Sequence, residues 1–214
     1  METITHISSP YSEPWVAWLL FGLMLLIVLN RSTLINLRGG LRTIFSHSER
    51  TYGIYTSDLL TDIVAIIFRI GILALTIYML VYSANAPFTF PTYAKIVGIV
   101  VAVLAVQVLL IYIVGKIFLP ARQLSQALEQ CNYIRHLTDI LLWVTMLLIV
   151  NWSSTLALYI LCGVVGLLFA VAIVGKGVQM FYKSASSLFY ILLYFMSLEV
   201  VPLCGTLLWA KHIV

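Results

Sequence analysis

Apolar runs separated by short polar or basic intervals fill the chain from Trp15 to Trp209. A hydrocarbon core about 30 Å thick takes about 20 helical residues, with about 17–25 usual. Six runs approach that length: 15–29, 59–82, 93–119, 137–151, 155–174 and 188–209. The second is interrupted by Asp62 and Arg69, and the third stops at Pro120. The fourth is the shortest. Only Asn151-Trp152-Ser153-Ser154 separates it from the fifth, which predicts a tight helical hairpin. The pattern therefore predicts an all-α polytopic bundle of six transmembrane helices.

Lys and Arg accumulate in cytoplasmic loops, so their positions predict orientation. Arg31, Arg38, Arg42 and Arg50 lie between runs one and two; Lys116, Arg122 and Arg135 between three and four; Lys176 and Lys183 between five and six. The opposite side carries only Lys95 and Lys211. This alternation requires all six spans, the weak fourth included, with both termini facing outward. Trp15, Trp18, Trp152 and Trp209 then fall at outer ends, as an interfacial belt would; Trp143 does not. The outer segment Ser83–Thr92 is uncharged, contains two prolines and reads as a short ordered cap.

Two inner intervals carry helical periodicity of their own. Leu34, Leu37, Leu41 and Ile44 recur at three-to-four spacing, as do Leu124, Leu128, Cys131 and Ile134 after Pro120. Both predict short amphipathic helices on the cytoplasmic surface, although Gly39-Gly40 weakens the first.

Composition excludes a water-soluble fold. The 214 residues are 62% hydrophobic and 9% charged, with mean hydropathy +1.06, whereas soluble domains carry about a quarter charged residues. No soluble domain interrupts the runs, so the chain reads as one integral-membrane unit, residues 1–214. The N-terminal segment lacks the basic region of a cleavable signal, which makes the first run a retained span. Cys131, Cys162 and Cys204 are too scattered for a disulfide framework or a zinc site. No metal or cofactor is expected, and no nucleic-acid partner.

Ionisable residues inside membrane spans are costly, and each is a candidate site by default. Arg69 lies about 15 Å beyond Leu59 at 1.5 Å per residue, and Glu199 lies similarly deep beyond Leu188. Both helices would enter from the cytoplasmic side, so an Arg69–Glu199 pair would answer both desolvation costs. Asp62, two turns before Arg69 on the same face, is the rival partner, and Asp58 extends that stripe. The cluster reads as an ion or proton path, as an anion-binding pocket, or as an ion pair fixing how the second and sixth helices pack. Pro202, three residues after Glu199, is expected to bend the sixth helix. Gln107 and Asn151 are expected to make interhelical hydrogen bonds. His136 and Asp139, one turn apart at the cytoplasmic mouth of the fourth helix, are a candidate site. The plainer reading is a capped helix start, with Thr138 or Asp139 serving the N-terminus.

Motifs of zinc proteases, serine hydrolases and P-loop enzymes are absent, as is an inverted repeat. Asp58, Asp62, His136 and Asp139 are the only convergent set near one interface that lipid chemistry could use. The C-terminal pattern of Lys183, Phe189, Tyr190, Tyr194, Leu198, Glu199 and Pro202 resembles an uncharacterised family of multispanning membrane proteins from Bacteroidota. The arginine-bearing second span and basic first inner loop are similar in outline. The resemblance implies the inner membrane of a diderm bacterium and assigns no catalytic residues. These features lead to the expectation of a non-enzymatic accessory subunit of an envelope or protein-export assembly. Its partners would be lipids together with other integral membrane proteins or further copies of itself. The alternative is a small transporter or channel whose path runs through Arg69, Glu199 and Asp62.

Overall fold

A computed structural model of the chain describes residues 13–29, 59–81, 89–118, 121–152, 154–181 and 201–211, and all regular structure among them is helical. The helices are α1 (Pro14–Leu29), α2 (Leu59–Val81), α3 (Phe90–Phe118), α4 (Ala121–Trp152), α5 (Thr155–Phe181) and α6 (Val201–Lys211). Four of them contain apolar segments long enough to cross a membrane: Asp62–Val81, Phe90–Leu110, Cys131–Trp152 and Thr155–Gly175. α1 is apolar but, at 16 residues, spans only about 24 Å. The predicted amphipathic helix at 34–44 and the first part of the sixth run lie outside the described residues.

α2 is the central element. It packs against α1, α3, α4 and α6, and it contributes Phe68, Ile72, Leu75 and Tyr78 to a core shared with Leu20, Ile96, Met146 and Leu158. Its close approach to α1 depends on Gly71. A Cβ built there would stand 2.9 Å from Leu23 Cδ2. Because that atom ends a flexible side chain, Gly71→Ala is expected to cost under about 1 kcal/mol, whereas Gly71→Leu overpacks the seam by about 1–3 kcal/mol. Thermal unfolding of both variants in one detergent checks the difference.

Cross-contacts establish that the first five helices alternate in direction. Trp15 at the start of α1 meets Tyr78 near the end of α2 and Phe90 and Tyr93 at the start of α3. Tyr159, early in α5, donates its hydroxyl to Leu80 O at the same end of the bundle. Thr89 turns the chain into α3: its carbonyl accepts from Tyr93 N, its hydroxyl meets Thr92 Oγ1, and Pro91 occupies a position where no amide donor is needed. Ser154 begins α5 similarly, accepting from Ala157 N on Oγ and from Leu158 N on its carbonyl.

The fourth run departs from expectation. No separate amphipathic helix precedes it; residues 121–152 form one helix about 48 Å long. The apolar phase of Leu124, Leu128 and Cys131 continues into Leu142, Met146 and Ile149 at alternating three- and four-residue steps, so nothing in the sequence breaks the turn-to-turn register. The helix begins directly after Pro120, so His136 and Asp139 do not stand at a helix start. Thr138 bonds back to Ile134 O at 2.9 Å as an interior threonine does, which corrects the capping assignment.

Candidate functional site

The face of α4 that carries Leu142, Met146 and Ile149 into the core continues one and two turns toward the N-terminus as Asp139 and Arg135. The five positions repeat at steps of four, three, four and three, so one buried stripe changes from charged to apolar along its length. Asp139 is 4% exposed and Arg135 is 7% exposed. Both lie in the apolar segment Cys131–Trp152.

α2 supplies the facing charge. Arg69 is half-buried, its Nε is shielded from solvent like that of Arg135, and its charge acts on the imidazole of half-buried His136 across the α2–α4 seam. The α2–α4 seam thus brings Arg69 and His136 together, and Arg135 and Asp139 are buried on α4 within one turn of His136. Thr138, Thr145 and Thr76 each donate to the carbonyl four residues back, at 2.8–2.9 Å.

The cluster lies away from the aromatic end. Arg69 is twelve residues before Val81, about 18 Å, and His136 is sixteen before Trp152, about 24 Å. In a hydrocarbon layer about 30 Å thick, both fall in the leaflet opposite the Trp15–Tyr78–Tyr93 contacts. Such an arrangement can neutralise charge between helices, recognise an anion or hold a proton. Among the described residues, no group of three His, Cys, Asp or Glu side chains is placed to hold a metal ion.

The predicted site residues separate accordingly. Arg69 and His136 come together, Asp139 is buried one turn beyond His136 on α4, and Asp62 sits exposed two turns before Arg69 on α2. Asp58 and Glu199 lie outside the described residues, as does the stretch before Val201 that a Pro202 bend would involve; Pro202 itself is in the first turn of α6. α6 does pack against α2 and α3. Gln107 is buried in α3. Asn151 Nδ2 donates to Leu147 O at 2.8 Å, so its described bond stays within its own helix instead of crossing to another.

Arg135 is the residue that sequence reasoning missed, because it was counted among the inner-loop charges. Its signal was present: it precedes Asp139 by four residues and shares the phase of Leu142, Met146 and Ile149. Trp143, the tryptophan outside the predicted belt, also has a structural role. Its indole N–H donates to Leu20 O at 3.2 Å, tying α4 to α1. Trp15 proves half-buried among aromatic rings, while Trp18, Trp152 and Trp209 are exposed.

The chain matches the family model of a domain of unknown function, DUF4271, over residues 15–209. No curated protein and no solved structure matches significantly.

Proposed function

The chain belongs to the DUF4271 family, and we propose that it is a non-enzymatic accessory subunit of a larger envelope or protein-export assembly. In this reading it resides in the inner membrane of a diderm bacterium, with six spans and both termini outward. The observation that carries it is α5. This 27-residue helix packs chiefly on α4, and only 17% of its apolar window is buried, against 44% for α2. A Cβ added at Gly163 or Gly166 would meet open space, so the outer side of α5 offers a low-relief surface for another helix.

The test is purification of the tagged full-length protein from its native membrane in mild detergent, with mass spectrometry of what accompanies it. One stoichiometric integral-membrane partner is expected, and Gly163→Leu is expected to release it without lowering the melting temperature. A clean homo-oligomer, or a partner indifferent to Gly163→Leu, overturns the reading.

A second reading, a small transporter or channel with Arg69, Glu199 and Asp62 on its path, is favoured by the ionisable groups within membrane-spanning segments. Glu199→Gln separates the two. A path residue loses ion- or proton-coupled flux in proteoliposomes with assembly intact. A packing residue lowers the melting temperature and is partly rescued by a paired change at Arg69.

A further inference from the structure

The aromatic end supplies a reference point on each of three helices. Leu80 on α2 receives the Tyr159 hydroxyl on its carbonyl, Phe90 on α3 meets Trp15, and Trp152 ends α4. Followed away from that end, the exposed face of each helix reaches a polar or interfacial side chain at a similar depth. On α2 the exposed Asp62 comes 18 residues from Leu80, about 27 Å. On α3 the exposed Tyr112 comes 22 residues from Phe90, about 33 Å. On α4 the exposed Asn132, beside Tyr133, comes 20 residues from Trp152, about 30 Å. Between these limits the exposed side chains of the three helices are apolar, Ile66, Val101 and Val144 among them, apart from Lys95 and Asn151 near the aromatic end.

We infer that the partner of this surface is a lipid bilayer whose hydrocarbon layer is bounded by Asp62, Tyr112 and Asn132 on one side and by the aromatic end on the other. Three helices independently give a spacing of about 27–33 Å, and a hydrocarbon core is about 30 Å thick. The longest path, on α3, fits that layer at a tilt of about 25°, within the range that membrane helices adopt. Tyrosine and tryptophan suit its edges because each ring has an apolar body and a polar tip. An exposed carboxylate or carboxamide further in would face hydrocarbon in place of water, at high cost. Lys95 lies five residues inside Phe90. Side chains lean toward the N-terminus of their helix, which for α3 is the aromatic end, so its stem leads the ammonium outward. The inference does not rest on the accessory-subunit reading, since it uses the faces of α2, α3 and α4 and not that of α5.

Single spin labels test it, on full-length protein with Cys131, Cys162 and Cys204 replaced by alanine, in vesicles of dioleoylphosphatidylcholine. Collision with oxygen against collision with a water-soluble nickel chelate reads the depth of each label. Labels at Val101→Cys and Val144→Cys are expected about 15 Å inside the hydrocarbon edge, half the layer. Labels at Asp62→Cys, Tyr112→Cys and Asn132→Cys are expected within about 5 Å of the edge, one helical turn. A label at Asn132 or Tyr112 as deep as that at Val144 overturns the inference. So does nickel contact at Val101 or Val144, since water would then cover that face, and so does shielding from oxygen there, since protein would. The unlabelled protein gives a second measurement that no substitution can disturb. Its melting temperature is expected to be higher in dieicosenoylphosphatidylcholine than in the thinner dimyristoleoyl or the thicker dinervonoyl bilayer, because mismatch is least there. A flat response, or a maximum in either extreme bilayer, overturns the inference.

Discussion

Replacing Asp139 by leucine is expected to destabilise the protein by about 3 kcal/mol, read as a lowered melting temperature in a fixed mild detergent. The argument starts from burial. Asp139 is 4% exposed, one turn from Arg135, on a helix face packed into the bundle. Removal of this carboxylate takes a negative charge away from beside the buried Arg135 in a medium of low dielectric. The lost attraction is compounded by the desolvation that Arg135 has already undergone. Removing charge on both sides should be milder than removing the acid alone. The double variant Arg135→Leu with Asp139→Leu is therefore expected to recover at least half of the loss. A neutral Asp139→Leu, or a double variant whose loss is the sum of the single ones, would mean that the two side chains are held by unrelated partners.

The difference between Arg135 and Arg69 explains what the sequence makes legible. Arg69 stands in a stretch, Ile63 to Val81, that holds no other charge, and there it is conspicuous before a structure is known. Arg135 stands at the edge of a polar stretch containing Arg122, Glu129 and Asn132, where a charge looks like a loop charge. Only the continuity of α4, which depends on register over eight turns, carries Arg135 into the packed segment. The same distinction governs the elements. α2 and α3 begin and end within a few residues of their apolar runs because polar residues interrupt those runs abruptly, whereas α5 starts with its run and continues seven residues past it, through Lys176. α4 begins sixteen residues before its apolar run, since its first four turns are amphipathic and of low hydropathy.

Aromatic residues obey a related limit. A tryptophan at the end of an apolar run suits a membrane interface and a packed cluster equally well, and neighbours decide between them. Trp18 and Trp152 remain exposed, whereas Trp15 meets three rings contributed by α2 and α3. No local pattern in α1 distinguishes Trp15 from Trp18, because the rings that capture Trp15 come from segments more than sixty residues away.

That cluster leads to the second large effect, at Tyr78. Its side chain is fully buried, stacks on Trp15 at 6.4 Å between ring centroids, and lies 6.5 Å from Tyr93. Its hydroxyl accepts from Thr89 N at 2.8 Å and donates to Thr89 O at 3.2 Å, so one phenol fixes the entry of the chain into α3. Tyr78→Ala removes the ring and the anchor together and is expected to cost about 4 kcal/mol, as buried aromatic-to-alanine changes do. Because lipid is as apolar as the core, this loss comes from packing and not from expulsion of water. Tyr78→Phe keeps the ring but leaves the Thr89 amide without its phenol acceptor, at a cost of about 1–2 kcal/mol. The two variants apportion the effect: the Tyr78→Phe loss measures the anchor, and the remainder of the Tyr78→Ala loss measures ring packing. If Tyr78→Phe falls as far as Tyr78→Ala, the hydroxyl alone holds α2 to α3. If neither variant lowers the melting temperature, the three helices are held together elsewhere, and the aromatic end is not the fixed point of the bundle.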